Sequence, residues 1–155
     1  MKNIKTILFS LLISFSIYGQ SVVNHKLDWK TYEFGTQKIL GVQGYGYSFN
    51  SLPQITSKVL LGSNQILTAS VSILESETVS QSEKKTIPVF WESQFSSTPN
   101  LKVEYSIAMK NKYALINIEL LYLENGVLKK ITSYSLSYSK SNIDVESSRS
   151  GSRSF

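Results

Sequence analysis

Residues 101–109 read LKVEYSIAM, and every odd position is apolar or aromatic while every even one is polar or small. A period of two places one face of an extended strand against a core and the other toward water. Lys110-Asn111-Lys112 then supplies a turn, and residues 113–123 read as a second strand with Ala114, Ile116, Ile118, Leu120 and Tyr122 on one face. Its opposite face still carries Leu115 and Leu121, so the reading is a central strand covered on both sides. Glu124-Asn125-Gly126-Val127 follows. Asn-Gly at the centre of a two-residue connection is the strongest short hairpin signal, because both positions tolerate positive φ. The returning strand sets Leu128, Lys130, Thr132, Tyr134, Leu136 and Tyr138 against Lys129, Ile131, Ser133, Ser135 and Ser137. Three consecutive antiparallel strands of this kind form a meander.

Working outward, His25 to Lys30 alternates with Leu27 and Trp29 inward, and residues 66–74 alternate Leu67, Ala69, Val71 and Ile73 with Thr68, Ser70 and Ser72. Ile87-Pro88-Val89-Phe90-Trp91 reads as a short edge strand, since proline is confined to edges and strand starts. Short strands separated by polar connections, with no sustained helical stripe, predict an all-β fold: an antiparallel β-sandwich or open barrel over residues 20–140. Ahead of it, residues 1–19 read as a cleaved signal peptide. Lys2 and Lys5 form its positive region, Thr6 to Ile17 its apolar stretch, and Gly19 is the small residue before the cut. Residues 141–155, rich in Ser and Arg, read as a linker leading to a missing downstream region.

Composition narrows the chemistry. The chain has no cysteine, which excludes disulfides, thiolate catalysis, cysteine metal sites and a lipoprotein anchor. Of the net charge of +5, two units come from Lys2 and Lys5 in the segment to be removed. The remaining bases are scattered, whereas a nucleic-acid footprint gathers them on one face. The single histidine, His25, has no nucleophile elbow to serve and reads as a solvated surface residue. Gly41-Val42-Gln43-Gly44-Tyr45-Gly46-Tyr47 lacks the dinucleotide spacing and the following helix that a phosphate loop needs. Glu75 with Glu77 and Glu119 with Glu124 are close in sequence, yet alternate like solvated strand residues. No catalytic, cofactor-binding or metal-binding residue is therefore assigned, and no cofactor is expected. Tyr45, Tyr47 and Trp91 are the candidates for a partner surface. They would be the anchors of a stand-alone secreted sandwich that binds a surface polysaccharide or a protein.

A resemblance goes further. A leader ending Tyr18-Gly19-Gln20, the segment Leu27-Asp28-Trp29-Lys30, a Gly/Tyr loop leading to Leu52-Pro53, the string Lys84-Lys85-Thr86-Ile87-Pro88, the late hairpins and residues 131–138 before a Ser/Arg linker recur together. In this order they resemble the amino-terminal region of the gingipain-type cysteine peptidases that act as sortase of the type IX secretion system in Bacteroidetes. The resemblance implies a non-catalytic, propeptide-like or packing domain, with the peptidase's cysteine and histidine downstream. It implies as partners the later domains of the same protein or secretion-system components. It also implies a cell-surface setting, in the periplasm, at the outer membrane or outside the cell.

Overall fold

The computed structural model describes residues 19–46 and 49–143. It is all-β: nine strands, one four-residue helix and one 3-10 segment. The strands are β1 (Ser21–Lys26), β2 (Trp29–Phe34), β3 (Gln37–Val42), β4 (Gln54–Leu61), β5 (Gln65–Thr78), β6 (Leu101–Ala108), β7 (Asn111–Glu119), β8 (Leu121–Glu124) and β9 (Val127–Asn142). The long β9 organises one sheet, pairing with β5 along one side and with β1 and β8 along the other. A second sheet has the order β4-β7-β6, and β2 with β3 forms a separate hairpin, all pairings being antiparallel.

The two larger sheets face each other. Their shared core takes Ile55, Val59 and Leu61 from β4, Ala114, Ile116 and Ile118 from β7, Leu67 from β5, and Ile131, Tyr134 and Leu136 from β9. The outward face of the β9 sheet is a ladder of hydroxyls. Ser135 and Ser137 lie on β9 opposite Ser72 and Ser70 on β5, and the Oγ atoms of Ser70 and Ser137 are 2.7 Å apart. Small hydroxyl side chains suit this position because they keep β propensity moderate while wetting the surface.

The late meander exists with one change of plan. Residues 113–123 are not a single strand. The run breaks at Leu120, and β7 and β8 belong to different sheets. The Leu120 amide donates to the Pro53 carbonyl at 2.9 Å, while its own carbonyl accepts from the Ile131 amide at 3.0 Å. The chain thus crosses from one layer to the other here. Leu121, expected on the second face of a central strand, is fully buried in a different core. The Asn125-Gly126 hairpin forms as read, with φ of 51° and 78°. The preceding turn is tighter than read. Ala108 pairs with Asn111, so Met109 and Lys110 are its two central residues, at φ 50° and 66°.

Four further expectations change. Residues 87–91 are not an edge strand: Pro88 precedes a 3-10 segment, Val89–Gln94, which the Trp91 amide opens by donating to the Pro88 carbonyl at 2.9 Å. The burial of the Trp91 ring decides this conformation. The alternation on β6 holds, but only Leu101 and Val103 reach the core; Tyr105 reaches the edge of β5 through its hydroxyl, and Ile107 and, just after the strand, Met109 are exposed. On β9 the alternation slips at Thr132, which the pairing with β5 skips between Ser133 and Ile131, and Ile131 turns inward. The strand also continues to Asn142, and the Ile143 amide donates to the Asn64 carbonyl, so 141–143 belong to the domain rather than to a linker. Most of the signal segment, and residues 144–155, lie outside the described residues.

Candidate functional site

A second core is built from residues that no single period unites. Ile39 and Leu40 come from β3, Leu52 and Val79 from connections, Trp91 from the 3-10 segment, Leu121 from β8 and Leu128 from β9. Trp91 has no exposed surface, and its indole N–H donates to the Phe49 carbonyl at 3.1 Å. It is therefore a core anchor and not part of a partner surface, which corrects the sequence expectation. A Trp buries more area than any other side chain and needs one partner for its N–H; both conditions are met here.

A helix of one turn, α1 (Gln81–Lys84), holds the edge of this core. Ser80 and Glu83 form a reciprocal capping box: Ser80 Oγ accepts from the Glu83 amide at 3.2 Å and Glu83 Oε2 accepts from the Ser80 amide at 2.8 Å. The other Glu83 oxygen accepts from Lys130 Nζ at 2.6 Å, and Glu77 lies 3.4 Å from the same ammonium. Burial acts to raise the Glu83 pKa, but Lys130 and the Ser80 bonds outweigh it and hold the carboxyl below its ordinary 4.5. Lys130, only 8% exposed, is thus a satisfied buried charge. The signal for this cluster was present in the sequence as Ser80-x-x-Glu83.

Tyr45 is half-buried against the first core, just after Gly44, whose φ of 82° turns the chain. With Gly44, Gly46, Ser51, Leu52, Gln54 and Thr56 it lines a shallow cleft of about 380 Å³. Beneath it lies Tyr134, whose buried hydroxyl has no hydrogen-bond partner; burial first, and the neighbouring Tyr45 second, push its pKa up to about 12. Tyr47 lies outside the described residues. His25 is not simply solvated: its ring stacks on Tyr134 at 4.8 Å with 13° between planes. Among the described residues no acid or nucleophile bonds to it, and Asp28 turns instead to Lys30 at 3.5 Å. Glu124 pairs with Lys129 at 3.8 Å on a hairpin, and Glu119 sits on the outer face of the β4-β7-β6 sheet. Among the described residues no three His, Asp or Glu gather into a metal-binding group.

The largest apolar exposures fall at two places. Beside the second core, Val89 is 79% and Phe90 58% exposed. They adjoin a cleft of about 390 Å³ whose lining includes Lys38, Lys85, Phe49 and Ile87. At the far end of the sandwich the β6–β7 turn presents Ile107 and Met109, 79% and 95% exposed. Exposed apolar clusters rimmed by charge are the usual mark of a protein-binding surface.

No family model and no curated protein matches the chain. Among solved structures, it is similar to one from a study of the zymogenic latency of gingipain K from Porphyromonas gingivalis, with a TM-score of 0.50 and 11% identity, covering 79% of this chain and 86% of that chain. It is also similar to a chain in the complex of the RgpB pro- and mature domains from the same organism, with a TM-score of 0.44 and 12% identity, covering 79% of this chain and 78% of that one. At such identities the likeness concerns the fold, which the first of these structures shares.

Proposed function

We propose that this chain is a non-catalytic, propeptide-like domain of a gingipain-type cysteine peptidase. It docks on the mature peptidase domain and holds it in a latent or folding-competent state. The observation that carries the reading is the shared fold with a gingipain K structure over most of both chains. The strings quoted from the sequence and the exposed apolar residues Val89, Phe90, Ile107 and Met109 support it, since a domain made to pack against another leaves such surface uncovered. In the finer form of the proposal the peptidase is a sortase-like enzyme of type IX secretion that removes carboxy-terminal sorting signals. The chain then reaches the periplasm or cell surface behind its signal peptide.

Mixing the purified chain with the gingipain-type peptidases of its own organism tests this. A stable complex on gel filtration, with loss of peptidase activity that returns after limited proteolysis of the chain, is the expected outcome. Absence of any complex at micromolar concentrations overturns it. The glycan-binding alternative loses Trp91 to the core and rests on the cleft beside Tyr45 alone. Titration with surface polysaccharides, comparing the parent with Tyr45→Ala, decides that reading separately.

A further inference from the structure

β5 is the terminal strand of its sheet, and among the described residues its outer edge pairs with no other strand. Protein edges of this kind are normally blunted by charge, proline, a bulge or a covering group, because unpaired amides and carbonyls recruit another strand. The first part of this edge is covered. Lys112 Nζ donates to the Gln65 carbonyl at 2.8 Å, and the Tyr105 hydroxyl bonds both the Leu67 amide and the Leu67 carbonyl at 3.2 and 3.3 Å. These contacts also fix the phase of the strand. Leu67 points its backbone groups outward, so in an antiparallel ladder Ala69, Val71 and Ile73 do so as well. Among the described residues those three take no partner on that side. The stretch Thr68-Ala69-Ser70-Val71-Ser72-Ile73 carries no charge and no proline, and the bulge begins only after it.

We propose that β5 pairs edge to edge with β5 of a second copy of this chain, antiparallel and centred on Val71. The occupant follows from the strand's own symmetry. About Val71, Ser70 falls opposite Ser72 of the second copy, and small Ala69 opposite large Ile73. Val71 faces Val71, and each of the three facing pairs exchanges two backbone hydrogen bonds. The charges agree with the same direction. Lys112 sits at the start of β5 and Glu75 and Glu77 at its end, so an antiparallel partner brings acidic end to basic end. A parallel partner would bring like charges together. Tyr105 acts as the stop at Leu67, restricting the partner to the uncovered residues. The neighbouring edge of β6 is the poorer candidate, because Lys102 and Glu104 are interleaved with its apolar positions.

A single pair of strand edges is a small contact, so the association is expected to be weak and to need concentrated protein. Sedimentation of the purified chain across a concentration series is expected to show the mass doubling. Hydrogen exchange at the dimeric end of the series is expected to slow the Ala69, Val71 and Ile73 amides, leaving Ser70 and Ser72, which face β9, unchanged. Val71→Pro removes the central outward donor without touching the β9 ladder, and S70K/S72K sets lysines against one another across the pair on an exposed face. Both are expected to remain monomeric, the second with the parent's circular dichroism. A chain that stays monomeric throughout overturns the proposal. So does a dimer that survives both variants, or one in which those three amides still exchange freely.

Discussion

The two cores of this domain are held together in different ways. The core between the large sheets is made of neighbours along strands: Ile55, Val59 and Leu61 on β4, and Ala114, Ile116 and Ile118 on β7, each at a spacing of two or four residues. Removal of one methyl group there leaves the same faces in contact. The second core gathers Ile39, Leu52, Val79, Trp91, Leu121 and Leu128 from six separate segments. It exists only because a capped turn of helix, a 3-10 segment and a buried ammonium hold those segments in place. Regular pairing tolerates local damage, whereas a core of assembled pieces depends on its largest member. Trp29 lies between them, packed against both and donating its indole N–H to the Ile131 carbonyl at 2.6 Å.

Trp91→Ala is the sharpest way to break that contrast. Loss of a fully buried indole is expected to cost about 3–5 kcal/mol, against about 2–4 kcal/mol for Ile116→Ala in the first core. Chemical denaturation of both variants measures the difference. If the assembled core melts as its own unit, Trp91→Ala will also split the transition, and Ile116→Ala will not.

Glu83→Gln comes next. Glutamine keeps the capping box but removes the charge beside Lys130, at an expected cost of about 1–2 kcal/mol because Glu77 remains as a partner. The folded Glu83 carboxyl titrates below its ordinary 4.5. Its contribution is therefore complete above that pH and is lost as pH falls through the folded value. Acid unfolding curves should show the parent losing stability there more steeply than the variant.

On the regular side, Lys110→Gly removes a side chain from a residue at φ 66° in the β6–β7 turn and is expected to stabilise by about 0.5–1 kcal/mol. A rise of a few degrees in melting temperature is the readout. Tyr134→Phe is the smallest and is expected to be neutral or slightly stabilising, since it deletes a buried hydroxyl with no partner. Because the folded phenol titrates near 12 and not 10, the parent holds this stability below pH 10 and loses it as pH rises toward 12. The phenylalanine variant should lack that part of the alkaline loss.

The sequence carried the sheets further than it carried the surface. Alternation in residues 101–109 and 128–138, together with Asn125-Gly126, was enough for the antiparallel all-β class and the late hairpins. Each of those signals is local and each strand has a single buried face. Alternation cannot say how far a facing sheet extends, which is why Ile107 and Met109 read as core and are exposed. It cannot mark the crossing at Leu120 either, because apolar residues continue through it and only their destination changes. Trp91 read as a surface aromatic because its apolar neighbours Val89 and Phe90 mimic a strand. In the fold, those two neighbours are the exposed ones. The Ser80-x-x-Glu83 motif was the signal that could have separated these cases, since a capped turn there prevents a strand from starting.

β9 pairs with β1, β5 and β8, and it is the last element of the described chain. A polypeptide emerging amino-terminus first can form the β2–β3 hairpin early, yet β1 must wait for residues 133–138 before it has any partner. Structure that depends on such distant pairings forms late and slowly. The sheet built on β9 can therefore close only after residues 127–142 have been made, while the β4-β7-β6 sheet can pair before them.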